Sequence, residues 1–314
     1  MSESEARVIL RNAMAPRVDP TGVFDVRYAA FLEAVAQLRP RLHRYCARMT
    51  GSVLDGEDVM QDALFEAYRK IEQLDEPGAM RPWLFRIAHN RCLDFLRSRR
   101  TRERAELGYA EEDLVLPVEP SGHAAGRAVE KLVLALPPKE RACVLLKDVF
   151  DHSLEEIADL VDSTVGGVKA ALSRGRAKLA ALPRSNNRVP SSPRDPDELR
   201  LLERYVTLFN KRDWDGVRAL TSADAQLRVS DCYRGRLADS PYFVEYERSP
   251  VEWRLEIGEV DGERALLVMQ RQHGEWQSVH PVRVDIVAGR VVGITDYYAC
   301  PWVLAASLDA TSLS

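Results

Sequence analysis

Apolar residues recur at helical spacing through most of the first 184 positions and then give way to alternation with short turns. The first periodic segment runs from Tyr28 to Met49, with Ala30, Phe31, Ala34, Val35, Leu38, Leu42, Tyr45 and Cys46 on one face. Pro40 falls inside it and predicts a kink or a division. Gly51 to Arg100 reads as two further helices. In the first, Val59, Ala63, Ala67 and Tyr68 keep the period, while Glu57, Asp58, Gln61 and Asp62 crowd the opening turns, where acids suit the positive end of the helix dipole. Pro77-Gly78 breaks the chain, and Pro82 stands near the start of the second, where a missing N–H costs least. That helix sets an apolar stripe (Leu84, Ile87, Ala88, Cys92, Phe95, Leu96) against Arg86, His89, Asn90, Arg91, Asp94 and Arg97.

Periodicity fades over 105–123, where acids, prolines and a glycine predict a linker. It returns over 124–184. Pro137-Pro138 ends one helix and opens the next, KERACVLLKDVF; Ser153 with Glu156 three residues on forms a capping box for SLEEIADLV; Asp162-Ser163 turns into TVGGVKAALSRGRAKLAAL. An acidic short helix, a tight turn and a basic helix are the signature of a helix-turn-helix. Ile157, Ala158, Val161, Val168, Leu172 and Leu179 would lock the pair. Thr164, Val165, Gly167 and Lys169 would face base edges or phosphates, and Ser173, Arg174, Arg176 and Lys178 the backbone. Gly166-Gly167 costs about 1 kcal/mol per residue within a helix, which a close backbone approach to DNA would justify.

The proline-rich stretch 185–196 marks a boundary. Beyond it, 197–314 predicts a helix ending near Asn210, a shorter one around Trp214 to Leu220, and then hairpins at VDGERALLVM and VDIVAGRVVGI, an α+β domain. Trp253, Trp276, Tyr297, Tyr298 and Trp302 would line a ligand pocket or fill a core.

Charge changes the picture only when divided. The net charge of −4 splits into −6 over 195–314 and +2 over the rest. Arg81 to Arg104 holds eight arginines against Asp94 and Glu103, and Thr164 to Arg184 holds five basic residues and no acid. Local clusters of this kind make a phosphate footprint. Five scattered cysteines without a CxxC pair argue against a disulfide framework or a zinc site; with no signal-peptide pattern and no apolar run of membrane-spanning length, the expectation is a cytoplasmic protein.

DGEDVMQDALFEAY and RPWLFRIAHNRCLDFLRSRR resemble region 2 of the extracytoplasmic-function (ECF) branch of the sigma-70 superfamily, and PPKERACVLLKDVFDHSLEEIADLV with the basic helix after it resembles region 4. The resemblance implies two all-α helical domains, region 2 over 26–104 and region 4 over 124–184. Core RNA polymerase, through its β′ clamp and β flap, and promoter DNA are the implied partners. Glu57, Asp58, Gln61 and Asp62 would then contact the clamp, and Trp83, Arg86, His89, Asn90, Arg91, Asp94 and Arg97 the −10 element. Trp83 would either pack in the core or wedge against the opened strand. The linker 105–123 would thread toward the RNA exit channel or act as a solvated spacer. Thr164, Val165, Gly167, Lys169, Ser173, Arg174, Arg176 and Lys178 would meet the −35 element. The last domain resembles the SnoaL-like branch of the nuclear-transport-factor-2-like superfamily. This implies a cone-shaped fold, room for a small ligand and regulation in cis. Isomerases, cyclases and dehydratases among such domains make Asp231, Tyr233, His273, His280, Asp285 and Asp296 the candidates for proton transfer, a role that requires a converging pair. The sequence shows no such pair, so catalysis is not expected, nor is a cofactor or a metal. Two rival readings are a helix-turn-helix regulator that never engages polymerase, and a small-molecule enzyme with a DNA-binding appendage.

Overall fold

The computed structural model describes residues 23–74, 77–107, 133–181, 196–307 and 310–312. The expected loose N-terminus before Val23, most of the linker 105–123 and the boundary stretch 185–195 lie outside the described residues. Two compact units emerge, one within Val18–Val189 and one within Pro190–Ser314.

The first unit is helical. α1 (Val23–Thr50), α2 (Val53–Arg69) and α3 (Met80–Leu107) are followed by α4 (Pro138–Val144), a wide π turn (Leu145–Val149), α5 (Leu154–Leu160) and α6 (Val165–Ala181). Pro40 does not divide α1, which is assigned as one helix through it. Ser52 caps α2 by accepting from the amide of Asp55 at 3.1 Å, and Gly51, in the left-handed region (φ 91°), lets the chain reverse just before it. The capping box at Ser153 and Glu156 forms as the spacing requires, at 3.1 and 2.7 Å. The helix expected to run unbroken through KERACVLLKDVF instead widens at Leu145, and Phe150 donates its amide to the Leu145 carbonyl five residues back.

That widening matters because the helices of 26–104 and of 124–184 do not keep separate cores. The Phe150 ring lies 5.8 Å from Tyr45 and 6.0 Å from Phe85, and the His152 ring 5.3 Å from Phe85. Arg141, only 4% exposed, donates to the carbonyls of Met49 at the end of α1, of Leu134 at 2.6 Å and of Leu136 at 3.1 Å. Burial pushes its guanidinium down to about 10, still charged at neutral pH.

The second unit holds α7 (Pro196–Asn210) and α8 (Trp214–Leu220), then β1 (Thr221–Val229), β2 (Tyr233–Arg236), α9 (Tyr242–Glu247), β3 (Trp253–Val260), β4 (Glu263–Gln272), β5 (Glu275–Val287), β6 (Arg290–Asp296), α10 (Pro301–Ala306) and β7 (Ala310–Ser312). Both helices end where their periodicity stops. The seven strands are ordered β2–β1–β6–β5–β4–β3–β7. β3 to β6 form a meander that contains both predicted hairpins, joined by two-residue loops at Asp261-Gly262, His273-Gly274 and Ala288-Gly289. Every one of those six residues has positive φ, so each loop has the twist that matches a hairpin, with glycine supplying the second position. β1 pairs parallel with β6, which the alternation pattern does not foretell. Leu202, Tyr205 and Phe209 of α7 pack with Leu255, Leu266, Val268, Val282 and Ile294 of the sheet.

Candidate nucleic-acid interface

The outward face of α2 is narrower than the sequence suggests. Glu57 is fully buried, accepting from Arg39 at 3.3 Å and Gln61 at 2.9 Å, with His43 at 3.9 Å. It anchors α2 on α1 and is unavailable to a partner, a correction to its expected role. Asp58 and Gln61 are half-buried, and Asp62 is exposed. Phe65, at the next turn, is 64% exposed, an aromatic that the sequence reading passed over. Its signal was the period itself: 58, 62 and 65 share one helical face.

On α3, Arg86, Asn90, Asp94 and Arg97 are exposed and fall three or four residues apart, a continuous stripe. Arg97 donates to Asp94 at 2.9 Å. Arg91 is half-exposed and bonded through Nε to Glu66 at 2.5 Å, and Lys70 approaches the other oxygen of Glu66 at 2.5 Å. Burial pulls the Glu66 carboxyl up, but those two cations outweigh it and hold it below the usual range. Glu66, Asn90, Arg91, Leu93, Asp94 and Arg97 together line a polar groove between α2 and α3. His89 lies elsewhere: it is 3% exposed, and its Nδ1 meets the Tyr45 hydroxyl at 2.8 Å. Burial, and secondly Arg97, push its pKa down to about 4, so it is neutral and internal and does not face DNA. Trp83 is half-buried and packs against the helical core.

α6 presents Thr164, Lys169, Ser173, Arg174, Arg176 and Lys178 on its exposed side. Thr164 also caps the helix, accepting from the Gly167 amide at 3.0 Å. Val165 is half-buried against the core. A Cβ on Gly167 would stand 2.6 Å from Ser163 Oγ, a hydroxyl that can rotate aside, so the turn favours a small residue there without demanding glycine. On Gly166 the nearest atom would be Thr164 Oγ1 at 3.9 Å, which leaves that backbone open to a close neighbour.

Two family models match, Sigma-70 region 2 over residues 34–102 and Sigma-70, region 4 over 126–179. The ECF RNA polymerase sigma factor SigM of Mycobacterium tuberculosis is 32% identical over 158 residues, which cover 50% of this chain and 78% of SigM. The chain belongs to the ECF RNA polymerase sigma factors. SigG, another ECF RNA polymerase sigma factor of the same organism, is 31% identical over 231 residues, covering 64% of this chain; the chain spans 61% of SigG's length. Among solved structures, the Mycobacterium tuberculosis extracytoplasmic function sigma factor SigJ aligns with 88% of this chain and 99% of its own at 18% identity and a TM-score of 0.34.

In this sigma factor the sheet-containing unit has a polar centre of its own. Of the six acid–base candidates only His280 and Asp296 come together, with Nε2 of the imidazole 3.1 Å from Asp296 Oδ1. Tyr242 and Tyr246 donate to Oδ2 at 3.0 and 2.6 Å. Asp231, His273 and Asp285 are exposed, the first two at turn positions of positive φ, and Tyr233 donates to the Arg236 carbonyl at 3.0 Å. Burial favours a neutral Asp296, but the His280 charge and the hydrogen bonds from His280, Tyr246 and Tyr242 outweigh it and hold the carboxyl below its ordinary value. Burial and then the Asp296 charge push both phenols well up, so they remain donors. Trp253 and Tyr297 are buried, Trp276 and Trp302 are half-buried, and Tyr298 is 39% exposed. The two tyrosines around Asp296 were missed because α9 has no sequence period long enough to place them.

Proposed function

We propose that this chain directs core RNA polymerase to specific promoters from within the cytoplasm. Supporting it are family membership and, above all, the adjacency of two unlike surfaces: the Asp58–Asp62–Phe65 face of α2 and the Arg86–Asn90–Asp94–Arg97 stripe of α3. The first suits a protein partner, the β′ clamp, with Phe65 as its apolar anchor. The second suits bases splayed from an opened −10 element, where polar side chains capture base edges and arginines hold phosphates. The α5–α6 pair suits duplex DNA at the −35 element, with the β flap as its polymerase partner.

Run-off transcription with purified core polymerase, on DNA taken from upstream of the protein's own gene, tests this reading. Transcripts are expected from the full-length chain; their absence, with no binding to core polymerase, would leave a plain DNA-binding regulator. Asn90→Ala is expected to lower the transcript about tenfold while the helical circular dichroism stays unchanged, the scale of one lost base contact. Normal transcription by that folded variant would remove α3 as the reading helix.

The domain over 197–314 we read as a regulator in cis and not as an enzyme, with a SnoaL-like sheet and helices. In its polar centre Tyr242 and Tyr246 donate to Asp296 Oδ2, and the charge of −6 over 195–314 favours contact with basic surfaces. Truncation before Asp197 is expected to raise transcription several-fold. An unchanged yield would make the domain irrelevant to initiation, and a lost one would make it an activator.

A further inference from the structure

One position on the inward face of the sheet breaks the alternation of the strand that carries it. In β4, Leu266 and Val268 pack with α7 and are each 1% exposed. Arg264, two residues before Leu266, falls on that same face by the period of the strand, yet it is an arginine. Its side chain is 16% exposed, and its guanidinium makes no hydrogen bond among the described residues. Nε is closed off from solvent without a partner, and Glu198 Oε2 stands 4.0 Å from Nη1, beyond hydrogen-bond distance. Arginine is rarely buried to that degree unless its donors are matched. Glu198, from α7, offsets the charge and leaves the donors unfilled.

Beside that guanidinium is a groove of about 120 Å³ between α7 and the sheet. Leu202 lines it from the helix, and Leu266, Val284 and Ile286 line it from the sheet, with Arg264 and Glu198 completing the wall. An apolar cavity of about 150 Å³ takes up one benzene molecule, so a single ring is the scale of body that fits. The centre of the unit is different. Rings of Trp214, Tyr242, Phe243, Tyr246 and Trp253 stand 5.1–6.5 Å from that of Phe209 and fill it. The Asp296 carboxylate there already has Tyr242, Tyr246 and His280. Space and unfilled donors occur together at Arg264 instead.

We propose that this groove binds a small monocarboxylate whose apolar body is about the size of one ring. A carboxylate is planar and accepts two parallel bonds from a guanidinium fork, so it supplies the acceptors that Arg264 lacks. The body displaces water from Leu202, Leu266, Val284 and Ile286. A phosphate dianion suits the groove less, because one arginine beside an acid and an apolar wall does not neutralise it. The site is independent of the promoter reading, since binding is measured without polymerase.

The test is calorimetric titration of the full-length chain with benzoate, benzamide and acetate. Benzamide keeps the ring and loses the charge; acetate keeps the charge and loses the ring. Benzoate is expected to bind with a Kd of about 0.1–1 mM, and each of the others about tenfold more weakly or worse. Arg264→Met is expected to weaken benzoate about tenfold or more, the scale of a lost charge-assisted hydrogen bond. It should keep the circular dichroism of the unchanged chain, because an apolar side chain of similar length replaces a buried, unmatched charge. Glu198→Gln, at a half-exposed position, is expected to tighten benzoate about threefold by removing a competing negative charge. No binding of benzoate at millimolar concentration overturns the proposal. So does benzamide or acetate binding as tightly as benzoate, or benzoate binding unchanged in folded Arg264→Met. Should Arg264→Met fail to fold, the three ligands on the unchanged chain still decide, and loss of benzoate binding in Glu198→Gln would also overturn the assignment to Arg264.

Discussion

Asp296→Ala is expected to destabilise the sheet-containing unit by about 3–5 kcal/mol, the range for removing one partner of a buried charged pair. Tyr242, Tyr246 and His280 all direct polar groups at this carboxylate, and the alanine would leave them facing a void. Asp296→Asn keeps the shape and removes the charge, so a smaller loss is expected. The pH dependence has a definite sign. The folded-state pKa of Asp296 lies below its unfolded value, about 3.9. Its contribution is therefore complete above that unfolded value and is lost as pH falls through the folded one. Hydrogen exchange of β5 and β6 amides in the full-length protein reads this locally, which a single melting curve of a two-unit chain does not. Protection in Asp296→Ala equal to that of the unchanged protein would show that the cluster contributes nothing to the fold.

Gly56→Ala is expected to cost about 2 kcal/mol in the helical unit, the upper end of the overpacking range less the gain in helix propensity. Two effects of opposite sign compete. Alanine is better than glycine within a helix by about 1 kcal/mol. Against that, the new Cβ would lie 2.5 Å from both the Cα and the N of Ala47 on α1. Those are backbone atoms and cannot swing aside, so α2 must shift off α1, and overpacking of that kind costs about 1–3 kcal/mol or more. The clash wins. The shift would also move the Asp58–Phe65 face, so weaker capture of core polymerase should accompany the lower thermal stability seen by far-ultraviolet circular dichroism. A melting temperature at or above that of the unchanged protein would mean the two helices are not in contact there.

Much of this molecule is legible in its residues because its local signals agree with one another. The capping box at Ser153, the boundaries of α7 and α8, and the two-residue hairpin loops all follow from neighbours a few positions apart. The division of α3 into an apolar and a charged face follows from its period. Where the reading failed, the deciding partner was far away in sequence. Glu57 lies among acids that look solvated, and Arg39 and His43, from the preceding helix, bury it. His89 sits in a row of polar residues, and Tyr45 draws it inward.

By itself, then, the sequence determined the class of most described segments, the family and the location of positive charge, since periodicity, caps, turns and clustered arginines act over one or two helical turns. Tertiary structure alone decided which of those charges remain outward and which are held. Arg174, Arg176 and Lys178 are indistinguishable along the chain; Glu140 holds the first and last of them and Asp148 the second, from twenty-eight to thirty-eight residues away. The same holds for the merging of the two helical groups through Arg141 and Phe150 and for the convergence of His280 with Asp296. The physical reason is one of range: propensity and pattern are summed over neighbours in sequence, whereas burial and ion pairing are set by neighbours in space.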